Sequence, residues 1–137
     1  MRLVFGEDQH VADWVSERLG VHIAPPFTAI GATKDGRSLC AGAVFNRWNK
    51  FDIEIHLAGP GCMTRGNLRG VFHYVFVQIG AIRATAVTKR SNAPMRRLLP
   101  RLGFQFEGVS KQYFGPSRAN DGMRFVLFPE QAIRWMN

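Results

Sequence analysis

Two ionisable side chains set two residues apart, Glu54 and His56, offer the first chemistry in this chain. They lie in the run Asp52-Ile-Glu-Ile-His-Leu-Ala58, where Ile53, Ile55 and Leu57 alternate with polar residues, the period of a half-buried strand. That period puts Glu54 and His56 on one face as near neighbours. A carboxylate beside an imidazole is a pair that can move protons, although a solvated strand face carries the same residue types. Directly after the strand comes the glycine-marked loop Gly59-Pro60-Gly61, which also reads as a plain connector, and then a helical pattern. Cys62 stands at the start of that helix, where a thiol pKa can fall, but no His is fixed beside it in sequence to complete a nucleophile.

The elements that must position these residues are legible from periodicity. Residues 2–5 read as a first strand. Val11, Trp14, Val15 and Leu19 recur on one helical face, with Gly20 as the stop and Pro25-Pro26 as a break. Residues 27–33, 37–46 and 51–58 read as three strands, joined by Lys34-Asp35-Gly36, a good hairpin turn, and by a second turn near Asn49. The helix over residues 64–79 shows the clearest apolar stripe of the chain, Leu68, Val71, Phe72, Val75, Phe76 and Ile79, and Gly80 ends it. A strand over 82–88 follows.

Asn92 then caps a helix whose core stripe is Met95, Leu98, Leu99 and Leu102 and whose stop is Gly103. Pro94 suits its first turn, whereas Pro100 predicts a kink or an early end. This strand, helix and following strand read as a βαβ half. Residues 104–114 and 123–128 read as a hairpin around a polar turn, and the tail over 129–137 is expected to dock through Ile133 and Trp135. A chain of 137 residues, 46% apolar, is enough for one domain spanning 1–137 and too little for two.

The net charge of +8 favours an anionic partner, or simply keeps a small protein dispersed. Two cysteines in unrelated contexts give neither a disulfide framework nor a metal spacing, so no metal is expected and a reducing compartment is the simpler inference. The N-terminus turns acidic before an apolar run develops, and no segment is long and apolar enough to span a bilayer. The expectation is a cytoplasmic protein without membrane contact.

The order helix, three strands, helix, strand, helix, two strands, strongest from Glu54 to Gly108, resembles the GNAT superfamily of acyl-CoA-dependent N-acyltransferases, compact members encoded by phages and prophages among them. The resemblance implies an α/β (α+β) fold: a mixed, mostly antiparallel central sheet with helices on both faces and an acyl-CoA gap between strands 4 and 5. It implies acetyl-CoA as co-substrate, with pyrophosphate at the helix start formed by Gly59, Gly61, Cys62, Met63, Thr64 and Arg65, where unpaired N–H groups and the helix dipole favour an anion. Backbone N–H of the fourth strand, at Leu57, would polarise the thioester carbonyl, and Asn92 would touch the pantetheine arm. Glu54 or His56 would act as the base, with Glu54 preferred.

The chain departs from the family pattern in three places. The loop is short and contains Pro60, Leu99 stands where many members carry a Tyr acid, and Met95 stands where some relatives carry a Ser. The implied activity is acetyl transfer to a primary amine, of a small molecule or a protein, by direct attack. The alternative is a non-catalytic binding module of the same fold whose basic stripe, Lys89, Arg90, Arg96, Arg97 and Arg101, engages an acidic protein or nucleic acid. Recognised nucleic-acid motifs are missing, so nucleic acid is not the expected partner, and a homodimer is left open. Trp48, Tyr113 and Phe114 are candidates for lining an acceptor pocket.

Overall fold

The computed structural model describes residues 2–59, 61 and 63–137. Seven strands form one sheet in the order β1-β2-β3-β4-β5-β7-β6. They are β1 (Arg2–Val4), β2 (Phe27–Thr33), β3 (Leu39–Asn46), β4 (Asp52–Ala58), β5 (Arg83–Lys89), β6 (Gln105–Ser110) and β7 (Gly122–Leu127). Every neighbouring pair is antiparallel except β4 and β5, which are parallel. Helix α1 (Asp8–Leu19) covers one face, burying Val11, Ala12 and Val15 against Ala29, Val44 and Ala58. Gly42 lets it lie close, since a Cβ there would sit 2.7 Å from Val15 Cγ2. On the other face α2 (Arg65–His73), α3 (Ala93–Leu102) and α4 (Pro129–Met136) enclose the main core around Phe45, Ile55, Phe72, Leu99 and Leu127. This is the mixed, mostly antiparallel sheet with helices on both faces that the resemblance implies.

Four expectations need correction. The 64–79 helix is α only to His73, and Tyr74–Ile79 continues as a π-helix that keeps Val75 in the core and carries the Tyr74 hydroxyl to 2.7 Å from Thr28 Oγ1. Pro100 does not end α3, which runs on to Leu102. Leu99 and Leu102, both buried, hold that turn in place, and one missing backbone bond is the smaller effect. The strand after α3 ends at Ser110 instead of Phe114, and β7 lies between it and β5, so β5-α3-β6 joins strands that are not neighbours. In the tail, Trp135 does dock, donating Nε1–H to the Leu102 carbonyl at 2.8 Å, but Ile133 is 57% exposed and Ala132 takes the buried position.

Candidate active site

The one parallel pairing is also incomplete. β4 and β5 are in register at Asp52 and Arg83, Ile53 and Ala84, and Glu54 and Thr85, and there the ladder stops. Its closed end is pinned: Thr85 Oγ1 donates to the Asp52 carboxylate at 2.8 Å, and Arg83, 3.6 Å from Asp52, also donates to Glu107 at 2.8 Å. Beyond Glu54 the strands part into a crevice. Ile55, His56 and Leu57 line one wall, Ala86, Val87 and Thr88 the other, and Leu19, Met95 and Leu99 close it from the two faces. Lys89 donates to the Gly20 carbonyl at 2.9 Å, tying the end of β5 to the end of α1.

Glu54 and His56 both face α1, and both are buried. The β3 register places Asn46 directly opposite Glu54. Asn46 Nδ2 donates to the Ala24 carbonyl at 3.0 Å, which leaves its Oδ1, 2.9 Å from His56 Nε2, as the acceptor. His56 therefore carries its proton on Nε2, and Nδ1 is the basic nitrogen. Burial, reinforced by the Arg47 charge, pushes its pKa down from 6.5 to about 4. Burial acts the opposite way on Glu54, raising its pKa, although the Tyr113 hydrogen bond and then the Arg47 charge oppose the rise. Tyr113 Oη donates to Glu54 Oε1 at 3.1 Å and Arg47 Nε lies 3.0 Å from Oε2. The phenol is itself held above its usual pKa, first by burial and then by the Glu54 charge.

Beside this cluster opens a pocket of about 290 Å³ between the loop after α1, with Val21 and His22, and the loop after β6, with Tyr113 and Phe114. His56, Asn46 and Arg47 form its floor and side. Trp48 belongs elsewhere, to a more apolar pocket of about 520 Å³ with Phe27, Phe45 and Tyr74. Sequence reasoning missed Asn46, Arg47 and the bond from Tyr113 to Glu54. A register argument across the short β3–β4 connection would have found Asn46, whereas Tyr113 arrives from 59 residues away and left no local signal.

Of the residues expected to hold coenzyme A, Leu57 lines the crevice and Gly59 directly follows β4. Gly59 has φ +73, and a Cβ there would fall 2.1 Å from the Cys40 carbonyl oxygen, so this turn requires glycine. Replacing it with Ala should cost about 2 kcal/mol or more in a denaturant melt. Gly61 is exposed with open space around its Cα, Thr64 caps α2 by accepting from Asn67 N–H at 3.1 Å, and Met63 packs on the main core. Cys62 lies outside the described residues. Arg65 turns toward α4, donating to the Arg134 carbonyl at 2.6 Å with its guanidinium 5.3 Å from the Trp135 ring. Asn92 caps α3, its side chain accepting from Met95 N–H at 3.3 Å. In the basic stripe, Lys89 and Arg96 donate to backbone carbonyls and Arg90 sits 3.6 Å from Asp121, while Arg97 and Arg101 are exposed.

No family model and no curated protein matches the chain. Solved structures do. A mutant of the spermidine N-acetyltransferase SpeG from Vibrio cholerae superposes with TM-score 0.73 over 100% of this chain and 98% of that one, at 12% identity. The fold is that of the GNAT acetyltransferases. A GCN5-related N-acetyltransferase from Brucella melitensis matches with TM-score 0.62 at 22% identity, over 88% of this chain and 58% of its own. A probable acetyltransferase matches with TM-score 0.64 at 20% identity, and this chain spans 63% of its length. At such identities the likeness to the GNAT structures is one of architecture. Among the described residues no helix is long and apolar enough to cross a membrane, and no cluster of His, Cys, Asp or Glu is suited to a metal.

Proposed function

We propose that this chain is an acetyl-CoA-dependent N-acetyltransferase acting on a primary amine by direct attack. The observation that carries this reading is the ladder stopping at Glu54, so that a crevice opens beside two buried proton-accepting groups next to an acceptor-sized pocket. Acetyl-CoA supplies the activated thioester. Its extended arm fits where β4 has lost its β5 partner, beside Asn92 at the start of α3, with the Leu57 N–H toward the carbonyl. Its phosphates would lie at the start of α2, beside Met63 and Thr64, where the first N–H groups of the helix lack intrahelical acceptors. With Arg65 held against α4, those backbone donors carry most of the contact. The crevice as it stands has a volume of only about 20 Å³, so Leu19 and the Lys89 contact must give way on binding.

The acceptor enters as the uncharged amine, having left one proton in solvent, and loses a second toward Glu54, directly or through one water, as its nitrogen bonds to the acyl carbon and the C–S bond breaks. The thiolate is a fair leaving group and takes a proton from solvent. Glu54 suits the task better than His56, because burial strengthens a carboxylate as a base and weakens an imidazole. Calorimetry tests the premise: acetyl-CoA should bind with a micromolar Kd, roughly −8 kcal/mol. A chain that shows no binding would instead be the non-catalytic module of the same fold.

A further inference from the structure

Resting on that reading, we infer that the acceptor amine carries its own carboxylate close to the amine, as in an amino acid, and that Arg47 selects it. The charge around the pocket points this way. Its lining includes His22, Asn46, Arg47 and His56 but no carboxylate. Glu54, which contacts the lining residues Tyr113 and Arg47, is 5% exposed and already engaged by them at both oxygens. Arg124 on β7 acts on Glu54 as a second positive charge. Asp52 also acts on Glu54 but is already paired with Thr85 and Arg83. A polyamine bound here would therefore bring further ammonium groups beside Arg47 and Arg124, where both nearby carboxylates are already engaged.

Arg47 is built to take an anion. Its side chain is 59% exposed and commits Nε to Glu54. Among the described residues its Nη groups donate to no protein acceptor, and the planar fork they form matches a carboxylate with two parallel N–H bonds. Because Nε and the Nη groups belong to one rigid plane, a carboxylate docked on the fork lies within one guanidinium width of Glu54. The amine that gives its proton to Glu54 must then be only a few bonds from that carboxylate. A volume of about 290 Å³ suits a molecule of this size. The selectivity is therefore opposite to that of the spermidine N-acetyltransferases that share the fold.

The test follows thiol release from acetyl-CoA by the full chain with glycine, β-alanine, aspartate and glutamate, with glycinamide and β-alaninamide, and with spermidine. We expect kcat/KM for an amino acid to exceed that for its amide by about 10- to 100-fold, the worth of a charge-assisted pair. Arg47→Gln should bring this ratio close to one, and Arg47→Lys should restore part of it. Equal or better turnover of the amides or of spermidine by the unaltered chain would overturn the acceptor assignment while leaving N-acetyl transfer standing. Failure to bind acetyl-CoA, with no transfer to any amine, would remove both.

Discussion

Glu54→Gln lowers turnover by about 10²- to 10⁴-fold and leaves the affinity for acetyl-CoA unchanged: this is the largest effect expected from the proposed mechanism. Gln keeps the size of the side chain and can still accept from Tyr113, but it cannot take up a proton. The loss should fall on kcat, since Glu54 contacts Tyr113 and Arg47, which line the pocket proposed for the acceptor, away from the segment proposed to hold the phosphates. The pH profile gives a second readout. Burial raises the Glu54 pKa above 4.5, so kcat/KM, expressed per uncharged amine, should climb with pH through that raised value as the carboxylate ionises and then level off. In the Gln variant that acidic limb should vanish. Full turnover by the variant on a verified acceptor would place the base elsewhere. Reduced acetyl-CoA affinity would mean that Glu54 holds the crevice in shape.

Much of the scaffold was readable because each element carried its own signal. The alternation in β4 placed Glu54 and His56 on one face, the stripe from Leu68 to Ile79 marked the main helix, and Gly20, Gly80 and Gly103, all left-handed in the structure, marked three helix ends. What stayed hidden depends on contacts distant in sequence. The π-helix at Tyr74–Ile79 has the same apolar positions as an α-helix would need there, so periodicity could not separate them. Ile133 is exposed because it lies at one edge of the single apolar arc of α4 that also holds Ala132, Trp135 and Met136, and the helix buries the side that meets Leu102 and α2. Arg65 looked like an anion ligand from its place at a helix start, and only the arrival of α4 showed that its guanidinium has partners at Arg134 and Trp135.

His56 should make the protein sensitive to mild acid. In the unfolded chain its pKa is near 6.5, whereas in the fold it is about 4, so between these values the unfolded state binds a proton that the folded state refuses. The associated stability is fully present above about pH 6.5 and is lost as pH falls toward 4, by about 3 kcal/mol in all. Glu54 works in the opposite sense. Its pKa is raised on folding, so its contribution is greatest below 4.5 and declines as pH rises through the raised value, which masks part of the histidine effect in the unaltered protein. The clean measurement is therefore a difference. His56→Gln keeps an N–H for Asn46 Oδ1 but does not titrate, so urea melts at about pH 7 and pH 4 should show the unaltered chain losing about 3 kcal/mol more than the variant. Parallel losses would mean that His56 is solvated enough to protonate normally. It would then be a competent base near neutral pH, and the preference for Glu54 as the group that accepts the amine proton would lose its physical ground.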